Sequence, residues 1–176
     1  MLWDTHYTMG NAAVMGLLPR WRYVLMSDLL LETMSDSQIE AIFAHELGHI
    51  VHRHMLGYAS FFAATTLLST PLVFWLGSWL PDSWITRAIG EEGVQIALSA
   101  ISAFCVIFML FGYVSRMFER QADVFAARLM NRPELEGPES DGSETLASAL
   151  ERVAWVNNIP LRAWSWCHGS LESRRE

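Results

Sequence analysis

Between His54 and Asp82 the chain runs for 27 residues without a charged side chain, and between Glu92 and Arg116 it does so again for 23. A helix rises 1.5 Å per residue, so about 20 predominantly apolar residues cross the roughly 30 Å hydrocarbon core of a bilayer. Both runs reach that length, and a short connection joins them. A pair of buried core helices in a soluble protein is the competing explanation, and runs of this length argue against it. Composition agrees: 52% of residues are hydrophobic and 18% are charged, where about 25% charged is usual. The expected element is a two-helix transmembrane hairpin, with spans at about 56–80 and 93–115 and the lipid bilayer as its surroundings. Pro71 should kink or interrupt the first span, which a membrane helix tolerates when its neighbours satisfy the freed carbonyls. Trp75, Trp79 and Trp84 gather near one end, where interfacial aromatic anchors belong.

The hairpin, residues 56–115, divides the remaining chain into residues 1–55 and 116–176. In the first part, NAAVMGLLPRWRYVLM (11–26) holds two short apolar runs around Leu18, Pro19 and Arg20, with Gly16 as a further breaker, and reads as a β-hairpin or strand pair. Ser35 with Gln38 three residues on makes a capping box, after which Ile39, Ile42, Phe43, Leu47 and Ile50 recur at helical spacing. A helix should start near Ser35. In the last part, residues 133–144 read as an acidic, solvated loop without function of its own. ETLASALERVAWV then predicts an amphipathic helix that Pro160 ends. No internal repeat is visible.

The net charge of −7 comes from 19 acids against 12 bases, and every fixed positive charge is an Arg. That balance offers no electrostatic footprint for nucleic acid. Cys105 and Cys167 form no C-x-x-C pair, so neither a disulfide framework nor a thiolate zinc site is expected. MLWDTHYTMG lacks a basic region followed by an apolar one, and no signal peptide is expected.

His45, Glu46 and His49 stand in the pattern H-E-x-x-H on the predicted helix. Two His four apart lie one turn apart on nearly the same face, so both imidazoles can reach one zinc ion at about 2.0 to 2.1 Å. Glu46 projects about 100° away, too far round to be a convenient ligand but within reach of a water at the open coordination position. A catalytic zinc site wants a third protein ligand. His52 shares the face but lies two turns from His45, and His54 projects to the opposite face; both are expected to be membrane-surface histidines, and His6 incidental. In SRMFERQADVFAARLM (115–130), Glu119 and Asp123 are four apart on one helix face. Glu119 can supply the third ligand, and Asp123 can accept a hydrogen bond from a ligand imidazole. Taken alone, that pair would read as a solvated face bearing salt bridges. A hairpin that leaves after residue 55 and returns before residue 116 changes this, because it brings Glu119 back beside His49.

HELGH, two apolar spans and then SRMFERQAD together resemble the membrane-bound zinc metallopeptidases of the HtpX heat-shock protease and CAAX prenyl protease 1 type, metallopeptidase family forty-eight. GNAAVMG (10–16) looks like that family's substrate-binding edge strand, with Asn11 as its Asn. CHGSLESR (167–174) looks like its C-terminal motif, carried by His168 and Arg174. The resemblance implies a mainly α fold with a small β-hairpin, in which a zincin-like core of gluzincin type, the H-E-x-x-H helix plus edge strand, joins the transmembrane hairpin. It implies His45, His49 and Glu119 as ligands of one zinc ion per chain, Glu46 as catalytic residue, and Asn11 and His168 as contacts to the scissile peptide or its oxyanion. Family members usually carry further spans before the edge strand and continue past the C-terminal motif. The sequence is therefore expected to be a fragment, a trimmed chain or a shortened gene product.

The function these readings support is that of an integral-membrane zinc metalloendopeptidase. Glu46 would serve as general base and then general acid, acting on membrane-associated or misfolded proteins, prenylated ones included, bound as extended strands. Two alternatives stand beside it: an inactive membrane adaptor related to such enzymes, and an intramembrane zinc protease, which would need an acidic ligand within a later span. The flanks of the hairpin set the orientation. Arg53, Arg116 and Arg120 lie on the zinc side and a single Arg in the opposite connection 82–92, so the positive-inside rule places the zinc side in the cytoplasm, with a bacterial inner membrane as the expected location.

Overall fold

A computed structural model describes residues 1–16, 18–79, 84–131 and 141–174, with the backbone alone for residues 76, 77 and 84–89. Most of the expected acidic loop 133–144, the last residue of the expected first span, Asp82 and the Trp84 side chain lie outside what is described. The fold is mainly α with one small sheet, and the described chain separates into two units: Met1–Met55 with Ser115–Glu176, and Leu56–Val114.

The first unit begins with three strands, β1 (Leu2–Trp3), β2 (Ala12–Met15) and β3 (Tyr23–Ser27), in the order β1-β3-β2. The expected hairpin is the antiparallel β2–β3 pair, in register from Ala12 opposite Met26 to Met15 opposite Tyr23. β1, which sequence reading did not find, adds a parallel partner to β3. Two residues are too few to show alternation. Hydrogen bonds just downstream hold β1 in place: Asp28 accepts from the backbone N–H of Thr5 at 3.2 Å and of Tyr7 at 3.0 Å. The order of strands leaves β2 at an edge, packed against the helix that carries His45.

Ser27 caps a short α1 (Asp28–Thr33), and Ser35 caps α2 (Asp36–Val51). Both halves of the expected capping box are formed at Ser35 and Gln38, which satisfies two of the orphan N–H groups at the helix start. α2 stops because Arg53 takes a left-handed conformation, φ 56°, which closes the helix before α3 (His54–Gly77) begins. The returning helix α4 (Trp84–Met130) breaks at Gly90, φ 76°, and then runs without interruption into the first unit. α5 (Gly142–Val156) is the expected amphipathic helix. It ends before Pro160, at Asn157 and a left-handed Asn158 with φ 53°, so an Asn performs the stop that the sequence suggested for the Pro. α6 (Leu171–Arg174) is a single turn.

The core of this unit is built from Met26 of β3, Leu30 of α1, Ala41, Ile42 and Ala44 of α2, Ala126 of α4, and Leu146, Ala149 and Leu150 of α5. Small side chains recur in it, and they let helices approach closely. At Gly48 of α2 an added Cβ would stand 3.0 Å from the Ala122 Cα of α4, so one fits this crossing only if the backbone there gives by a few tenths of an ångström.

In the second unit, α3 continues through Pro71, where a kink or an interruption was expected. The proline deprives the carbonyl of Leu67 of its helical N–H donor, and one residue before it the carbonyl of Thr66 accepts from the hydroxyls of Ser69 and Thr70. Tyr58 and Phe62 of α3 meet Phe111 of α4 with ring centroids 5.3 and 5.5 Å apart. Outside that seam the surface is apolar and open: Leu67 and Leu68 are each 72% exposed and Met109 77%. A buried core pair would hide its apolar stretch, whereas the most apolar windows of the two helices are 17% and 0% buried. An apolar surface of this extent calls for lipid, and the chain is a membrane protein.

Candidate metal centre

Two helices of the first unit supply the polar cluster. On α2, His45 and His49 are successive turns of one face, and their Nε2 atoms are 3.2 Å apart. On α4, Glu119 turns toward them, with Oε2 at 3.6 Å from His45 Nε2 and Oε1 at 3.6 Å from His49 Nε2. The Gly48–Ala122 crossing makes this approach possible. His45 and Glu119 are 7% and 5% exposed.

The donor set fits a metal ion. Ligand atoms about 2.0 to 2.2 Å from a tetrahedral ion stand about 3.3 to 3.6 Å from one another, close to the three separations found here. Proton bookkeeping leads to the same conclusion. His45 Nδ1 lies 2.9 Å from Asp123 Oδ1, a carboxylate that when ionised only accepts; with its proton on Nδ1, His45 presents the Nε2 lone pair. That lone pair faces a carboxylate and a second imidazole nitrogen, an arrangement of electron pairs that a cation resolves. Burial, then the neighbouring His45, depress the His49 pKa to about 4, which leaves His49 neutral near pH 7 and able to ligate.

Around the triad the remaining sequence-predicted residues are partly gathered. Asp123 is held from behind by Arg174, whose Nε and Nη2 bond its two oxygens at 2.8 and 2.7 Å, while Nη1 lies 3.4 Å from Glu119 Oε2. His168 reaches the cluster from a tight loop: Ser165 and Gly169 exchange two backbone hydrogen bonds, and Gly169 has φ 75°, a conformation natural to glycine. Nδ1 of His168 then lies 3.2 Å from Glu119 Oε2. That hydrogen bond, opposed by burial, raises the His168 pKa. Glu46 is half-buried, and burial raises its pKa, helped by the charge of Glu119 and opposed by His45 and by a hydrogen bond from the Val14 backbone. Edge strand β2 therefore runs past Glu46. Asn11 is exposed just before β2, with its backbone N–H on Ser27 Oγ and its carbonyl accepting from Ser27 N–H.

His54 departs from the expected membrane-surface position. Projecting α2 onward placed it on the opposite face at the membrane surface, but the left-handed Arg53 ends that helix and restarts the next. His54 is 2% exposed and its Nδ1 lies 2.8 Å from His49 Nδ1. Gln121, bonded to His54 through Oε1 at 3.0 Å, joins the cluster without a motif to mark it. The one available signal was that Phe118 and Gln121, three apart, share a face of α4. His52 stays outside the cluster, its Nδ1 on the carbonyl of Gly48.

The chain is similar to a CAAX prenyl protease 1 homolog of Oryza sativa subsp. japonica, 26% identical over 180 residues, covering 97% of this chain and 40% of that protein. It is also similar to a protease HtpX homolog of Nostoc punctiforme, 29% identical over 164 residues, covering 88% of this chain and 50% of that protein. It thus spans half or less of the length of these relatives. The crystal structure of S. mikatae Ste24p shares the fold, with a TM-score of 0.66 and 20% identity over 99% of this chain and 43% of that one. The sequence pattern of Peptidase family M48 matches residues 4–142, and the chain with its His-His-Glu cluster belongs to that family.

Proposed function

We propose that this chain carries the active site of an integral-membrane zinc metalloendopeptidase. His45, His49 and Glu119 would hold the ion. The observation that carries the reading is the convergence of these three side chains, His45 and Glu119 buried and His49 half-buried, at separations of 3.2, 3.6 and 3.6 Å beside a half-buried carboxylate. A zinc ion there supplies Lewis acidity and lowers the pKa of a water toward 7.

The chain's own groups do the rest. Glu46 takes a proton from the attacking water as its oxygen bonds to the peptide carbonyl carbon. It then delivers that proton to the amide nitrogen as the C–N bond breaks, leaving a carboxylate and a free amine. The raised pKa of Glu46 suits a group that must both accept and return a proton. His168, with Nδ1 engaged by Glu119 and its pKa raised, supports a role as donor from Nε2 to the developing oxyanion, and Asn11 is the second candidate. Asp123 would hold His45 in its ligating tautomer. β2 offers an open edge to an extended peptide alongside Glu46, which favours sequence-tolerant cleavage of membrane-associated or misfolded proteins, prenylated ones included. The Arg distribution about the hairpin supports a cytoplasmic catalytic side, and a bacterial inner membrane is the location we propose for it.

Peptidase activity of the zinc-restored protein tests this reading. Glu46→Gln should lower turnover by about 10²-fold to 10⁴-fold with zinc content unchanged, and turnover equal to that of the parent would sink the mechanism.

A further inference from the structure

The metal-centre reading leaves the buried His54, in contact with His49, without a task. His54 is 2% exposed and its ring lies flat against Phe118, centroids 4.4 Å apart and planes within 4°. Its Nε2 stands 3.0 Å from Gln121 Oε1, an oxygen that can only accept. The proton of a neutral His54 therefore sits on Nε2, and Nδ1 keeps a lone pair. That lone pair faces Nδ1 of His49 at 2.8 Å. A contact this short needs a proton between the two nitrogens, and His49 is the ring left to provide it. With Nδ1 protonated, His49 presents Nε2 as an electron pair toward His45 and Glu119. The 2.8 Å separation is a hydrogen-bond length and falls below the spacing of about 3.3 Å between two ligands of one tetrahedral ion, so His54 is not a further ligand.

We propose that His54, anchored by Gln121, is a positioning residue of the metal centre that sets the tautomer and ring orientation of His49. The proposal rests on the reading of His45, His49 and Glu119 as that centre. The two ligand imidazoles then have unlike supports: a carboxylate behind His45 and a neutral imidazole–amide pair behind His49. Both supports fix the tautomer, but only the first adds negative charge. Groups in this position commonly change metal affinity by about tenfold to a hundredfold.

Zinc affinity, measured by competition with a chelator on the full chain in detergent micelles, tests the proposal. His54→Phe keeps a flat ring against Phe118 and removes the acceptor; His54→Asn keeps an acceptor oxygen near the place of Nδ1. The phenylalanine variant should bind zinc about tenfold to a hundredfold more weakly, and the asparagine variant should stay within about threefold of the parent. Nitrogen-15 spectra of histidine-labelled, zinc-loaded parent should show His49 protonated on Nδ1. Should His54→Phe fail to fold, Gln121→Leu, which removes the far anchor, should weaken zinc binding in the same direction while Gln121→Glu, which retains an acceptor, restores it. Equal affinities for the Phe and Asn variants, or a His49 bound to zinc through Nδ1, would overturn the proposal while leaving the metal centre standing. A parent chain that binds no zinc would overturn the metal-centre reading itself and this inference with it.

Discussion

Arg174 shows how closely the charges near the cluster are balanced. Its side chain is 8% exposed, beside Asp123 at 11% and Glu119 at 7%, and its planar fork bonds both oxygens of Asp123. Removing one partner of a buried ion pair leaves the other charge uncompensated, at a cost of about 3 to 5 kcal/mol. Arg174→Ala should therefore lower the melting temperature and weaken zinc binding together, and Arg174→Lys should recover only part of either, because an ammonium cannot reproduce the two-toothed contact. Unchanged melting and zinc titration curves would show that the pair is dispensable. The gathering of His45, His49, Glu119 and Asp123 was legible in the sequence because each pair is four apart on a continuous helix, where spacing translates directly into position. His54 was not legible: one left-handed residue, Arg53, reset the helical phase, and no glycine marks the place.

At the scale of elements, the site depends on how closely α2 and α4 can cross. Gly48 meets the Ala122 backbone there, and a methyl group would push the two helices apart by a few tenths of an ångström. Overpacking of this kind costs about 1 to 3 kcal/mol, and the displaced Glu119 would leave the distances that suit one ion. Gly48→Ala should thus lower zinc affinity more than its modest stability loss suggests, a difference that metal titration and thermal melts measured side by side would reveal. The capping box at Ser35, the β2–β3 pair and the α5 stripe were readable because each has a local chemical or periodic signature. The β1 pairing and the end of α5 were not. β1 is a two-residue contact secured by Asp28, and α5 stops on the left-handed Asn158 rather than on Pro160.

For the whole molecule, the long uncharged runs carried more information than any motif. They implied that the chain leaves one polar body and returns to it, which is why 69 residues between His49 and Glu119 do not prevent the two from meeting. The break at Gly90 had no sequence signal beyond the glycine itself. The proposed topology predicts that a reporter fused within the connection 82–92 lies on the non-cytoplasmic side; a cytoplasmic signal would reverse the orientation. The central claim is that His45, His49 and Glu119 hold one catalytic zinc ion, and metal analysis of the intact protein tests it most directly. One zinc per chain is predicted, lost on replacing Glu119 with Ala and retained in Glu46→Gln. Absence of stoichiometric zinc that added metal does not restore, or zinc retained at full occupancy after His45, His49 and Glu119 are all replaced, would contradict it.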